Sequence, residues 1–301
     1  MRLRVPCRAV TAYEDRPAQV DRVREFYDRN TTRFQRLGEG GASIHRAVWA
    51  PGVATLEDAL HYVDERVLAL VAEIDEPRVV DLGCGVGGSL IHLALQRSDL
   101  VGEGVTISPA QAEVAGRLTV EAGVEDRVRV REGDFLAPPD ELTGADLAVS
   151  VEAFVHGPDP AAYFRAAAAL LRPGGLLVVC DDVLTAAGAR ATGRDARRLE
   201  EFRTGWRLAS LITVDDANRH AAAAGFSVTG DDSLTRYLRL RRPRDRALGV
   251  LAMATRPLRP RGEYWWSLVG GNALRCCLDT GLVDYRLLVF RRDEVGDRPR
   301  K

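Results

Sequence analysis

Four glycines within six residues, placed directly after an apolar run, constrain the fold of this chain more than any other feature. Residues 79–90 read VVDLGCGVGGSL, with glycine at 83, 85, 87 and 88. The run before the glycines is typical of a buried strand and the residues after them of a helix. Glycine has no Cβ, so such a turn can bring its backbone close to a ligand. The segment predicts a nucleoside-binding loop, although a simple tight turn would use the same residues.

Strand and helix patterns alternate through the middle of the chain. β-branched runs predict strands at 78–82, 100–107, 127–131, 146–151, 176–180, 226–229 and 283–290, with helices near 89–97, 109–122 and 159–171. A further helix follows Thr213, a suitable N-cap, and ends at Gly225, a suitable C-terminal cap. Such alternation forms a parallel sheet with helices on both faces. We therefore predict an α/β, Rossmann-like doubly wound sheet.

Segments outside this alternation are predicted to cover the sheet. Residues 1–72 contain mainly helical patterns and are predicted as an N-terminal helical lid, and residues 73–301 as the core. Two insertions within the core, at about 185–210 and 233–281, are long enough to cap a substrate. The second is predicted to form two helices over one end of the sheet.

Composition and charge argue against several classes of protein. Lys and Arg number 42 against 43 Asp and Glu, so no overall field attracts a nucleic acid. The sequence contains no apolar run long enough to cross a membrane, and its start lacks the apolar centre of a signal peptide, which favours the cytoplasm. The five cysteines show no metal-ligand spacing, so we expect reduced thiols and no metal centre.

The glycine spacing alone leaves the cofactor open. Gly83, Gly85 and Gly88 also satisfy the G-x-G-x-x-G fingerprint of nicotinamide enzymes, in which an acidic residue further along binds the ribose. Glu103 is the acid nearest to that place. A nicotinamide-dependent oxidoreductase is therefore one interpretation of the loop.

The wider sequence resembles class I S-adenosylmethionine-dependent methyltransferases across most of residues 60–290. In that family an acid and one further residue precede Gly-x-Gly-x-Gly, and Asp81, Gly83, Gly85 and Gly87 match this pattern. The resemblance implies that these four residues bind S-adenosylmethionine as the cofactor.

Further motifs follow in the order of the same family. GVTISPAQ resembles the second-strand motif of the sterol and cyclopropane-fatty-acid methyltransferase branch, which implies that Thr106 and Gln111 lie beside the ribose. GDFL is similar to the adenine pocket, which implies an amine contact for Asp134 and a ring contact for Phe135. Most class I enzymes end the second strand with an acid, whereas this strand ends VTIS. Ribose recognition is therefore expected to depend on Gln111.

An acid and an imidazole follow the predicted fourth strand. The segment SVEAFVH places Glu152 four residues before His156 and resembles the Ser-x-Glu-Ala-x-x-His of sterol and prenyl C-methyltransferases. Methylating an alkene leaves a carbocation, which a carboxylate can stabilise and then deprotonate. The resemblance implies these catalytic roles for Glu152, with His156 beside it, and apolar surroundings are expected to raise the pKa of Glu152. The same sequence would also be found if Glu152 were a surface residue and His156 capped a turn.

Aromatic and basic residues in the predicted lids are candidates for contacting the acceptor. They are Tyr27, Phe34, Trp49, Trp206 and Trp265, together with Arg194, Arg197 and Arg198, which share one helical face. Arginine forks suit phosphate oxygens, so the three arginines could clamp a diphosphate. The alternative for the aromatic residues is ordinary core packing, and the alternative for the three arginines is a solvated helix face.

We therefore expect a C-methyltransferase of secondary metabolism that acts on the alkene of a small hydrophobic isoprenoid. The chain is similar in this to the geranyl and farnesyl diphosphate C-methyltransferases. The methylated cation either loses a proton directly or cyclises first. Mg²⁺ is expected only if the acceptor carries a diphosphate. O- or N-methylation of an aromatic natural product, with His156 as base, is the first alternative. A nicotinamide enzyme and a catalytically silent binding protein are the others. Assembly into a homo-oligomer is left open.

Overall fold

A seven-stranded sheet forms the centre of the fold. The computed structural model describes residues 45–240 and 263–294, with Gln19, Asp21, residues 23–25 and Asp28 of an N-terminal helix. The strands are β1 (Arg78–Leu82), β2 (Val101–Thr106), β3 (Val128–Glu132), β4 (Ala145–Val151), β5 (Leu171–Leu184), β6 (Phe226–Ser233) and β7 (Val283–Arg292). They lie in the order β3-β2-β1-β4-β5-β7-β6. The doubly wound sheet is confirmed, but it is mixed, because β7 runs antiparallel to both β5 and β6.

Helices flank this sheet at the positions that the sequence predicts. They are α1 (Leu56–Leu60), α2 (Tyr62–Leu70), α3 (Gly88–Gln96), α4 (Pro109–Ala122), α5 (Pro160–Leu170), α6 (Ala186–Ala189), α7 (Gly193–Trp206), α8 (Val214–Ala223) and α9 (Glu263–Asp279). The Thr213 side chain caps α8 by accepting from the N–H of Asp216, and Gly225 follows with a φ of 84°. None of the helices within the described residues is both long and apolar enough to cross a membrane.

The core lies on both faces of the sheet and fixes the strand ends. Val79, Val80 and Leu82 of β1 are almost completely buried, as expected for a central parallel strand. Edge-to-face and tilted ring contacts hold one face together, and they join Phe154, Tyr163, Phe164, Phe226 and Phe290. Val63 and Val67 of α2 pack into the same core, so α2 is part of the layer that covers the sheet.

The two predicted insertions meet each other in the structure. Helices α7 and α9 cross so closely that a Cβ added to Gly270 would lie 2.9 Å from the Cα of Gly205. Of the two helices expected at 233–281, α9 is described together with a short 3₁₀ turn at Thr235–Tyr237. Residues 241–262 lie outside the described residues.

Candidate functional site

A cavity of about 380 Å³ lies at the carboxyl ends of β1, β2 and β4 and beside the carboxyl half of β5. The strand order reverses between β1 and β4, and open α/β sheets bind ligands in the crevice that this reversal creates. Helices α7 and α9 close the other side of the cavity through Phe202 and Leu274. Core strands and insertions therefore build the site together.

The glycine loop forms one wall of the cavity. Gly83, Gly85 and Gly87 have φ angles of 100°, 56° and 80°, which side chains with a Cβ rarely adopt. A Cβ on Gly83 would lie 2.4 Å from the Cβ of Ala153, so only glycine allows the ends of β1 and β4 to approach this closely. Gly83 and Gly85 line the cavity, whereas Gly87 is the N-cap of α3 and packs against Val130.

Thr106, Gln111 and Phe135, three of the residues predicted to bind the cofactor, line the cavity beside this loop. The Thr106 hydroxyl donates to the Gln111 side-chain oxygen at 2.7 Å, which fixes the amide in the buried wall. The amide nitrogen of Gln111 lies 3.8 Å from the position of a Cβ on Gly85. All three side chains line the cavity, and Val23 of the N-terminal helix joins them. The wall thus offers glycine backbone, one amide and one aromatic ring, the set of groups that a nucleoside requires.

Two other residues predicted to bind the cofactor, Asp81 and Asp134, do not line the cavity. Asp81 is 3% exposed beneath the loop, where burial and then the charge of Asp64 raise its pKa to about 8. Asp134 accepts the N–H of Leu136 at 2.8 Å and so holds the turn after β3. In the structure Asp134 holds a turn and Asp81 is buried beneath the loop, and the cofactor contacts that the resemblance implied for them stay predictions.

Glu103 is likewise not positioned as a ribose ligand. Its carboxylate forms an ion pair with Arg131 of the neighbouring strand at 3.2 Å, and it does not line the cavity. A nicotinamide enzyme would need an acid facing the cofactor at the end of β2. The oxidoreductase alternative therefore loses the residue on which it depended.

Glu152 follows β4 and faces the cavity from a constrained backbone. Its φ of 51° is uncommon for a residue other than glycine, and such conformations persist only where surrounding contacts hold them. The Glu152 N–H donates to the carbonyl of Cys180 at 2.9 Å. One carboxylate oxygen accepts the N–H of Arg46 and the hydroxyl of Tyr285, both at 3.0 Å. These contacts fix both the backbone and the carboxylate of Glu152.

The direction of the pKa change of Glu152 differs from the sequence-based expectation. Burial by itself raises its pKa, but the electrostatic effects of Arg46 and His45 and the hydrogen bonds outweigh burial. The pKa of Glu152 therefore lies below its ordinary value of 4.5, and the expected increase is wrong. Glu152 is a carboxylate at neutral pH.

Arg46, which precedes α1, is the residue whose importance the sequence did not reveal. Its guanidinium donates two hydrogen bonds to Asp182, at 2.7 and 2.6 Å, and lies 4.4 Å above the ring of Tyr285. Its Nε is 3.6 Å from the second oxygen of Glu152. Asp181 accepts the backbone N–H groups of Val155 and Asp182, and burial raises its pKa well above the ordinary value.

His156 also lines the cavity and is 8% exposed. Burial lowers its pKa to about 4, against a smaller opposite effect of a hydrogen bond to the backbone of Arg207. The imidazole is therefore neutral at physiological pH. This end of the cavity presents one carboxylate and one neutral imidazole.

The comparison with known families gives a direct result: a family model described as a methyltransferase domain matches residues 55–230. The chain belongs to this methyltransferase family. A relative, 27-O-demethylrifamycin SV methyltransferase of Amycolatopsis mediterranei (strain S699), is 30% identical over 199 residues, which are 66% of this chain and 72% of that protein. A second, 24-methylenesterol C-methyltransferase 2 of Oryza sativa subsp. japonica, is 30% identical over 62% of this chain and 51% of its own length.

Solved structures show that the methyltransferase has the class I, Rossmann-like fold. The [4+2]-cyclase SpnF has a TM-score of 0.70 at 21% identity and covers 90% of this chain and 95% of its own. A geranyl diphosphate methyltransferase in complex with GPP and sinefungin has a TM-score of 0.71 at 18% identity. The match covers 91% of this chain and 99% of that protein's chain. At these identities the likeness concerns the fold and not the substrate.

The apolar side of the cavity comes from the insertions of the methyltransferase. Trp206 and Phe202 of α7, Leu208 after it and Leu274 of α9 line this side. The predicted placement of Trp206 at the site therefore agrees with the structure. Trp49 does not line the cavity, because its ring packs beneath the guanidinium of Arg239.

The three arginines predicted to clamp a diphosphate lie away from the cavity of the methyltransferase. Arg194 and Arg197 are exposed, and Arg198 forms an ion pair with Asp195 at 3.3 Å. The structure therefore does not support a clamp on this helix face. Tyr27, Phe34 and the side chain of Trp265 lie outside the described residues. The described part of the chain contains no group of three or more His, Cys, Asp or Glu that could hold a metal ion.

Proposed function

We propose that the protein is an S-adenosylmethionine-dependent C-methyltransferase that methylates an alkene carbon of a small isoprenoid acceptor through a carbocation. S-adenosylmethionine supplies an electrophilic methyl group when it is bound. The observation that carries the proposal is the position of Glu152: an ionised carboxylate, held by Arg46 and Tyr285, in the wall of a cavity whose opposite side is apolar.

The residues around the glycine loop fit the nucleoside part of such a donor. Gly85 leaves room for close approach, because it has no Cβ beside Gln111, and Gly83 allows the loop to pack against Ala153 in the cavity wall. Gln111 would offer its amide to the ribose, and Thr106 keeps that amide in place. Phe135 would pack against the adenine ring.

Glu152 provides what an alkene acceptor requires after methyl transfer. The π electrons of the double bond form the new carbon–carbon bond, which leaves a positive charge on the adjacent carbon. A fixed carboxylate stabilises that charge in a low-dielectric site. Glu152 then accepts a proton from a neighbouring carbon, and the electrons of the broken C–H bond restore a double bond. If a second double bond attacks the cation first, the same carboxylate ends the cyclised sequence.

The acceptor half of the cavity favours an isoprenoid without a diphosphate. Glu152, Asp181 and Asp182 line it, whereas Arg46 is the single arginine among its described lining residues and already binds Asp182. A diphosphate would have to approach these carboxyl groups with no free guanidinium beside it. A prenylated metabolite avoids this repulsion, and the apolar wall of Trp206 and Phe202 suits its chain and keeps water from the cation.

O- or N-methylation is the second candidate, because His156 lines the cavity as a neutral imidazole that can accept a proton. With a pKa of about 4, however, His156 is a weak base toward a phenol or an ammonium group. One relative given above is named 27-O-demethylrifamycin SV methyltransferase, after an acceptor that lacks a methyl group at an oxygen, so this candidate needs a direct test.

The test uses S-adenosylmethionine labelled in its methyl group and a panel of acceptors. The panel contains geranyl diphosphate, farnesyl diphosphate, a prenylated indole and the same indole with its prenyl double bond hydrogenated. We expect label to enter the prenylated indole and not the hydrogenated one. Equal labelling of both indoles would show that a heteroatom accepts the methyl group and would contradict the proposal.

A further inference from the structure

The carboxylate of Glu152 is held by residues far from it in the chain. The backbone N–H of Arg46 and the hydroxyl of Tyr285 donate to the same oxygen, and the Arg46 guanidinium faces the other oxygen at 3.6 Å. Arg46 and Tyr285 both lie outside residues 55–230, the range that the family model matches. Both partners of Glu152 therefore come from parts of the chain outside the matched range.

The guanidinium of Arg46 is itself fixed from behind. Asp182, whose side chain is 2% exposed, accepts two parallel hydrogen bonds from it, and the ring of Tyr285 covers one face of the guanidinium. Two-point binding between a guanidinium and a carboxylate sets orientation as well as distance. Arg46 cannot turn away from Glu152 without breaking both bonds inside a buried site.

We propose that Arg46 is a positioning residue: anchored by Asp182, it holds the Glu152 carboxylate in one orientation toward the acceptor. This inference rests on the proposed function, in which Glu152 faces a carbocation. The same contacts also affect the electrostatics of the site, because the positive charge of Arg46 offsets part of the negative charge around Glu152. The titratable and charged groups that face Glu152 are His45, Arg46, His156, Cys180, Asp181, Asp182 and Tyr285.

Removing Arg46 changes the balance of these effects in a predictable direction. Burial favours the protonated form of Glu152, and the charge of Arg46 is the largest effect opposing burial. In Arg46→Met the pKa of Glu152 is therefore expected to rise by about 1–3 pH units, the usual effect of losing an adjacent opposite charge. An unchanged pKa in Arg46→Met would mean that the guanidinium does not act on the Glu152 carboxylate.

The experiment follows the Glu152 carboxyl directly by NMR of protein carrying ¹³C at the glutamate carboxyl carbons. Glu152→Gln assigns the signal by its loss. The signal of Arg46→Met should titrate at higher pH than that of the unsubstituted protein, and Arg46→Lys, which keeps the charge without the fork, should lie between them. Arg66→Met is the matched control, because Arg66 pairs with Asp232 at 2.9 Å on the surface.

Thermal unfolding shows whether each variant is folded, and Arg46→Lys carries the test if Arg46→Met is not. The rate of alkene methylation by the folded Arg46 variants should fall. The pH below which this rate decreases should rise by the same amount as the pKa of Glu152 measured by NMR. An unchanged Glu152 titration and unchanged methylation in these variants would overturn the positioning role. Full activity of Glu152→Gln would instead overturn the proposed function, so the two failures are distinguishable.

Discussion

At the scale of single residues, the chemistry of the cavity depends on two side chains whose charge states are set by their surroundings. Glu152 is kept ionised by Arg46 despite its burial, and His156 is kept neutral by its burial. An ionised group and a neutral group side by side in one small site are typical of residues with different catalytic roles. Substitutions at these two positions therefore have different expected outcomes.

Replacing Glu152 by Gln keeps the size of the side chain but removes its charge and its capacity to accept a proton. We expect alkene methylation to fall by about 10²–10⁴-fold, the usual contribution of a general base, while S-adenosylhomocysteine still binds. Glu141→Gln is the matched control, because the Glu141 side chain is 70% exposed and does not line the cavity. A rate within a few fold of the unsubstituted protein would contradict the role of Glu152.

The pKa of His156 makes a prediction about stability. A histidine with a folded pKa of about 4 and an ordinary value of 6.5 binds a proton more readily in the unfolded chain. Its contribution to the free energy of unfolding is therefore present above pH 6.5 and is lost as the pH falls toward 4. In urea titrations, His156→Gln should lose less stability than the unsubstituted protein between pH 6.5 and pH 4. Parallel losses in the two proteins would show that His156 is not held neutral.

The cofactor wall can be tested at Gly85, whose φ is 56° and whose Cβ position faces Gln111. Gly85→Val should weaken the binding of S-adenosylhomocysteine at least about tenfold in calorimetry, because the side chain enters the cavity and strains the loop. Gly52→Val reproduces the strain elsewhere, since Gly52 has a φ of 91° and no atom within 4 Å of its Cβ position. Similar weakening in both variants would mean that strain, and not the lost space, is responsible.

At the scale of secondary structure elements, the described parts of the two insertions cross at Gly205 of α7 and Gly270 of α9. Both helices contribute apolar residues to the cavity, so their distance sets the shape of its acceptor half. Glycine at a helix crossing allows the two backbones to approach closely, and a larger residue would force them apart.

Gly270→Val should therefore lower both alkene methylation and the melting temperature, because its side chain meets the backbone of Gly205 at 2.9 Å. The adjacent Gly271→Val is the matched control, with the same loss of glycine in the same helix and no atom within 4 Å of its Cβ position. Thermal unfolding and methylation assays compare the two variants. Equal effects would indicate that helix propensity, and not the crossing, matters.

The elements that could be predicted from the sequence are those with local signals. Helix α4 begins at Pro109 and ends at Ala122 as predicted, because Ser108 caps its start and Gly123 follows its end. Strand β5 was predicted at 176–180 and extends over Leu171–Leu184. Its carboxyl end contains two adjacent aspartates, which are not typical of a buried strand.

Those aspartates show why part of the site could not be predicted. Asp182 is buried because Arg46, more than a hundred residues away in the sequence, binds it with two hydrogen bonds. Tyr285 reaches Glu152 only because β7 lies next to β5. The family motifs identified Glu152 itself, but the lowering of its pKa depends on partners that only the folded chain brings together.

At the scale of the whole molecule, three separate parts of the chain build the cavity: the matched methyltransferase domain, the segment before α1 and the elements after residue 230. The domain contributes the glycine loop and Glu152, and the segment before it contributes Arg46. Helix α9 contributes Leu274 to the apolar side. The family match therefore covers the cofactor half and also Glu152, Phe202 and Trp206 of the acceptor half, whereas Arg46 and Leu274 lie outside the matched range.

The most direct test of the central claim is the position of the transferred methyl group. Protein incubated with ¹³C-methyl S-adenosylmethionine and a prenylated indole gives a product whose NMR spectrum shows which atom carries the label. We expect a new methyl group bonded to a former alkene carbon, and we expect Glu152→Gln to form little of this product. A methyl group bonded to nitrogen or oxygen, formed equally well by Glu152→Gln, would contradict it.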